Sequence, residues 1–134
     1  MSGKYPNTFY RVSVKAIIRD KDNNVLVVKE KGSHWSLPGG GMDHEESVHE
    51  ALKRELYEET LIESDFSEEL VDSASMYVES KEAWLLWLVF KVKVENLVYG
   101  LGLDADDVAF MDPSTFSYSK NRSEQLVYKF SQRH

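Results

Sequence analysis

Apolar and polar residues alternate from Phe9 to Asp20, with Val12, Val14, Ala16 and Ile18 on one side, a period of two that predicts a strand. The polar run Asp20-Lys21-Asp22-Asn23-Asn24 predicts a turn, and Val25 to Glu30 a second, apolar-rich strand, so the two are expected to pair as a hairpin. Helical spacing then takes over. At about 100° per residue, Val48, Ala51, Leu52, Leu56 and Ile62 share one face. Asp43 with Glu46 three residues on has the form of an N-cap and its capping-box partner, which predicts a helix from near His44 to about Thr60. Leu70 to Ser80 reads as a strand of weaker period. Trp84 to Phe90 is continuously apolar, and Val92 and Val94 then alternate with lysines. That pattern predicts a central strand buried on both faces at first and half-exposed later, with Trp84 and Trp87 in the core. Tyr99 to Leu103 reads as a loop, Val108 to Met111 as a short strand and Asp112-Pro113-Ser114 as a turn. Asn121 to Ser131, with Leu126, Val127 and Phe130 on one side, reads as a closing amphipathic helix.

The first helix carries the chemistry. Glu55 and Glu59, one turn apart, fall inside its apolar stripe and Glu58 lies on the edge, while Glu50, Lys53 and Tyr57 lie opposite. Two readings compete. One is a solvated surface with i,i+4 ion pairs, Glu50–Arg54 and Arg54–Glu58. Against it, a solvated face sets its carboxylates opposite the apolar stripe, and a buried, uncompensated acid costs several kcal/mol. The other reading is a hard divalent cation, which prefers oxygen ligands and compensates several carboxylates at once. The loop Trp35-Ser36-Leu37-Pro38-Gly39-Gly40-Gly41 just before it lets backbone approach a ligand closely, because no Cβ stands in the way.

Composition narrows the classes. The chain has 134 residues, 42% hydrophobic and 12% aromatic, which predicts one globular domain over residues 1–134. Without cysteine there is no disulfide, thiolate metal site or Cys nucleophile. No apolar run matches a membrane span or a signal peptide, so a soluble cytoplasmic protein is expected, and the Asn121-Arg122-Ser123 sequon is set aside. The net charge of −7 argues against binding long nucleic acid but not against a small phosphorylated substrate. His34, His44 and His49 are spaced unlike a metal set and read as surface residues. Neither a P-loop Gly-Lys-Ser/Thr nor a G-x-G-x-x-G fingerprint is present. Met1 to Asn7 is expected to be loose.

Gly40, then Glu46, then Arg54-Glu55-Leu56-x-Glu58-Glu59 resembles the Nudix box, and Gly32, Trp35, Leu37, Pro38 and Gly39 resemble the loop leading into it. Leu61 departs from the glycine of the box, and Glu45 stands where a glycine is common. The resemblance implies an α/β (α+β) fold, an alpha-beta-alpha sandwich around a mixed β-sheet in the order β-β-α-β-β-β-α. It implies metal-dependent hydrolysis of a nucleoside diphosphate linked to another group, by attack of water on phosphorus. Glu55, Glu58 and Glu59 would then bind Mg²⁺ or Mn²⁺ with a backbone carbonyl at Gly39 or Gly40. Arg54 would orient the acids, and Gly40 and Glu46 would organise the loop. A further ligand or base would come from Glu79, Glu82, Asp104, Asp106 or Asp107, the last three in a segment expected to be mobile.

Lys29 and Lys31 are either phosphate contacts or a solvated strand end, and Tyr77 is read as core. The expected partner is a small nucleotide, with no long nucleic acid or membrane, and the chain is expected to be a monomer or homodimer. Two alternatives stay open: a Nudix-fold nucleotide-binding module and an RNA 5′-end pyrophosphohydrolase. For Leu61 two outcomes are expected: a helix continuing to about Ser64, or a leucine turned back to pack under the loop.

Overall fold

Residues of opposite parity on the strands feed two separate cores. Val14, Ala16 and Ile18 join Leu26, Phe90 and Val92 in one core with Ala51, Leu52 and Leu56. Ile17, Val25, Val27, Trp87 and Val89 join Val127 and Phe130 in the other. Strands therefore lie between two helices, as a sheet buried on both faces requires. A computed structural model describes residues 9–30 and 34–134. The expectations for Met1–Asn7, Lys31 and Gly32 lie outside the described residues.

The elements are β1 (Tyr10–Ile17), β2 (Val25–Lys29), β3 (Trp35–Ser36), β4 (Gly39–Gly41), α1 (Val48–Thr60), β5 (Phe66–Val78), β6 (Ala83–Val94), β7 (Asp107–Met111) and α2 (Arg122–Arg133). A four-stranded sheet runs β4-β1-β6-β5 and a three-stranded sheet β3-β2-β7. β1 and β6 are parallel, and every other pairing is antiparallel. The fold is the mixed α+β sandwich expected from the sequence. No helix of the described residues is long and apolar enough to cross a membrane.

Several local expectations are corrected. β1 and β2 do not form a hairpin ladder; beyond their turn they share an Arg19–Val25 bridge and then enter different sheets. Val25 to Val28 are all fully buried, so β2 is an interior strand and takes β3 and β7 on its two edges. β6 is buried in its middle rather than at its start: Trp87 is 7% exposed but Trp84 is 45% exposed. Trp84 meets Tyr10 in a tilted contact and Tyr77 edge-on, at ring distances of 5.8 and 5.7 Å, and Tyr77 is likewise exposed rather than core.

Helix α1 starts at Val48, not near His44. Asp43 N–H does donate to Glu46 Oε1 at 2.7 Å, but Glu45 sits at φ 70°, a left-handed conformation no α-helix contains. The true capping box lies four residues later, with Ser47 Oγ accepting from Glu50 N–H and Glu50 Oε1 from Ser47 N–H.

The helix ends at Thr60 rather than continuing to Ser64, and the Leu61 side chain lies beside Gly100 of the following loop. Leu61 adopts the left-handed conformation of the glycine it replaces (φ 59°, ψ 16°), and the residue is 41% exposed. Its N–H closes the last turn on Tyr57 O. The next three carbonyls, of Glu58, Glu59 and Thr60, accept from the amides of Asp104, Gly102 and Gly100 at 3.0, 3.0 and 2.9 Å. A Cβ at Gly102 would run into the Glu58 carbonyl, so this loop approaches the helix end only because residue 102 is glycine. Left-handed backbone costs a leucine roughly 1–2 kcal/mol. Leu61→Gly is therefore expected to raise stability by about 1 kcal/mol in chemical denaturation, with turnover unchanged because the acids lie upstream.

Candidate active site

β4 is built from glycines because it runs against β1 with no room for side chains. Gly39, Gly40 and Gly41 pair with Lys15, Val14 and Ser13. Gly39 sits at φ 135°, and a Cβ there would run into the Val14 carbonyl. A Cβ at Gly40 would lie 2.7 Å from both carboxylate oxygens of Glu55. Missing side chains thus bring α1 carboxylates directly onto loop backbone.

Glu59 is 2% exposed and accepts the Gly39 N–H at 2.7 Å. Burial pushes its carboxyl up to about 9; Lys15 and the Gly39 amide oppose that shift, and the Glu30 carboxyl adds to it. Glu55, partly buried, is also raised, chiefly by burial, with Arg54 and Lys15 pulling the other way. Glu58 is more open, its side chain 37% exposed.

Arg54 connects loop and helix. It grips Glu46 with Nε and one terminal nitrogen, at 2.7 and 2.9 Å, and donates to the Gly41 carbonyl at 2.9 Å. Its other terminal nitrogen reaches Glu55 Oε1 at 2.9 Å and Glu58 Oε2 at 3.3 Å. The Arg54 hydrogen bonds hold the Glu46 carboxyl down at about 2. A forked guanidinium suits this use, since its donors are fixed in a plane.

The other expected residues are dispersed. Lys29 ends β2, with Nζ 4.8 Å from the centre of the Trp35 ring. Its carbonyl accepts from Asp106 N–H at 2.7 Å, and Asp107 pairs with it across β2 and β7. Together with the Asp104 amide on Glu58, these bonds tie residues 104–107 to α1 and β2, against the expectation of a mobile segment. Glu79 and Glu82 sit in the exposed turn between β5 and β6. Glu79 lines a cleft of about 690 Å³ with Tyr77, Trp87, Arg122 and Leu126. His34 and His49 meet Glu124 and Glu68 at the surface, and His44 is exposed.

Sequence reasoning missed Lys15 and Glu30. Lys15 is 6% exposed, and its Nζ lies 3.3 Å from Leu37 O, 3.4 Å from Gly39 O and 4.7 Å from the centre of the Trp87 ring. The available signal was a lysine between Val14 and Ala16, but alternation assigned its side of β1, shared with Arg11 and Ser13, to solvent.

The donors fit a hard cation by chemistry, since Glu55, Glu58, Glu59 and the Gly39 carbonyl are all oxygen ligands and one acid is buried in the helix–loop seam. Among the described residues, no three His, Asp or Glu side chains converge at metal-ligand spacing. Arg54 engages one oxygen of each of Glu55 (Oε1) and Glu58 (Oε2), so it can orient both acids while their second oxygens face a cation.

An alpha-beta-alpha sandwich with a glycine loop laid on a glutamate-rich helix defines a class. The family model of the NUDIX domain matches residues 9–130, and the chain belongs to this family. Nudix hydrolases generally use divalent metals. The chain is similar to the RNA pyrophosphohydrolase of Shewanella frigidimarina, 47% identical over 51 residues, which is 37% of this chain and 30% of that protein. It is 30% identical over 131 residues to Nudix hydrolase 6 of Arabidopsis thaliana, covering 92% of this chain and 40% of that one. The chain thus spans well under half the length of either relative. A MutT protein from Methanosarcina mazei Go1 shares the fold, with a TM-score of 0.79 at 19% identity over 96% of this chain and 97% of the other.

Proposed function

We propose that the chain is a metal-dependent pyrophosphohydrolase that cleaves a diphosphate bond in a nucleoside diphosphate linked to another group, water attacking phosphorus. The observation that carries this reading is Glu59, an acid buried within an apolar stripe and hydrogen-bonded to the Gly39 amide. Burial of such a group is unfavourable in isolation, and a cation beside it offsets that cost. Glu55, Glu58 and Glu59, with the Gly39 carbonyl, would hold Mg²⁺ or Mn²⁺. When bound, the metal screens the diphosphate charge and lowers the pKa of water. Arg54 keeps Glu55 and Glu58 oriented, and through Glu46 and the Gly41 carbonyl it fixes the loop to the helix. Lys29 is a candidate phosphate contact at the end of β2. Of the candidate extra acids, Asp104 is the first to substitute, because its amide is bonded to the Glu58 carbonyl at the α1 terminus.

The 51-residue likeness to RNA pyrophosphohydrolases favours a second reading, a 5′-phosphorylated RNA end as substrate. It covers 37% of this chain, and the net charge of −7 disfavours a polyanionic partner. A Mg²⁺-dependent screen separates the two. Nucleoside triphosphates, nucleotide sugars, dinucleoside polyphosphates and ADP-ribose are compared with 5′-triphosphorylated RNA. The expected outcome is faster turnover of at least one small nucleotide than of RNA; the reverse order would establish the second reading.

A further inference from the structure

The mechanism leaves one buried charge unused. Lys15 lies under β4, with Nζ 3.4 Å from the Gly39 carbonyl, while the amide of the same residue donates to Glu59 at 2.7 Å. Its other near neighbours are the Leu37 carbonyl and the face of Trp87. Of the influences on Glu59, the Lys15 charge is the strongest that favours the ionised carboxylate. Lys15 thus acts on three members of the donor set assigned above to a divalent ion: the Gly39 carbonyl directly, and Glu59 and Glu55 through space.

We propose that Lys15 is a resident counter-cation that competes with the divalent metal for the Gly39 carbonyl and Glu59, and so limits the metal affinity of the box. The proposal rests on the metal-dependent reading. Its sign follows from charge alone. A dication held by Glu59 and the Gly39 carbonyl would carry twice the charge of the Glu59 carboxylate, so its repulsion from Lys15 would exceed the attraction between Lys15 and that carboxylate. Removing the lysine charge therefore favours the metal-bound state by more than it adds to the cost of ionising Glu59. Low local dielectric strengthens both effects, because Lys15 and Glu59 are both buried. A purely structural role gives the opposite sign: losing two bonds to the Leu37 and Gly39 carbonyls would loosen the loop and weaken binding.

The test is Mn²⁺ binding to metal-stripped protein at one fixed pH, read by electron paramagnetic resonance of the free ion and by calorimetry. Wild type, Lys15→Met and Lys15→Arg are compared. Lys15→Met is expected to bind Mn²⁺ about ten-fold tighter or more, and to show a larger Mn²⁺-induced rise in Tm than wild type. Lys15→Arg keeps the charge and is expected to bind within about three-fold of wild type. Circular dichroism checks folding, and Lys15→Gln replaces Lys15→Met if the latter does not fold. Equal or weaker binding by the neutral variant overturns the proposal and leaves Lys15 a scaffold. Tighter binding by Lys15→Arg as well overturns it in favour of packing. If no variant binds Mn²⁺, the metal-dependent reading itself falls.

Discussion

Glu59→Gln is expected to lower turnover by about a thousand-fold or more while leaving the protein folded, the scale on which a positioned catalytic group acts. Gln matches the shape of Glu and can still accept the Gly39 N–H, but it brings no charge to a metal and no base to water. Stability should move the other way. Burial raises the Glu59 carboxyl from 4.5 to about 9. A group raised on folding contributes stability that is fully present below its unfolded value and lost as pH rises through its folded one. Metal-free wild type should therefore lose stability between pH 4.5 and about 9 relative to Glu59→Gln, whose Tm lacks that component. Melting curves of the two proteins across this range, without metal, check the sign. A wild type that gains stability over the range relative to the variant would mean Glu59 is ionised and satisfied in the bare protein.

Gly39→Ala is expected to be among the most destabilising single changes in the chain, by ~4 kcal/mol or more. Two costs combine. The residue sits at φ 135°, which side chains rarely adopt, and its new Cβ would meet the Val14 carbonyl inside the β1–β4 ladder. β4 is the edge strand of its sheet, and it can relieve that clash only by giving up its pairing with β1. Gly40→Ala provides the contrast. Its Cβ would meet the Glu55 carboxylate, the end of a flexible side chain that can swing away. That variant should fold with a modest loss of stability but lose most turnover, because Glu55 is displaced. Urea denaturation and turnover measured on both variants separate the two effects.

The amphipathic stripe of α1 made Glu55 and Glu59 legible, because helical period alone sets two acids among Ala51, Leu52 and Leu56. Period does not locate ends. Asp43 and Ser47 each precede a glutamate by three residues, and only the left-handed backbone at Glu45 decides that Ser47 is the cap. The strand pattern gave β1 and β2 their existence but not their partners. A run like Val25–Val28, buried on both faces, contains no alternation to say which sheet it joins. Trp84 was misplaced because hydrophobicity does not report where a strand outruns the helices covering it. Lys15 was invisible for a related reason: its burial depends on Trp87 and the glycine loop, both distant in sequence. At Leu61, three amides from residues 100, 102 and 104 finish the helix end, and that long-range support could not be read from the residues around Thr60.

The central claim is that the carboxylates of α1 act through a divalent metal. Its most direct test is turnover of the best small-nucleotide substrate by metal-stripped protein, measured before and after adding Mg²⁺ and again in excess EDTA. Stripped protein is expected to show no hydrolysis, to recover it with Mg²⁺ and to lose it again on chelation. Undiminished hydrolysis in excess EDTA would contradict the central claim.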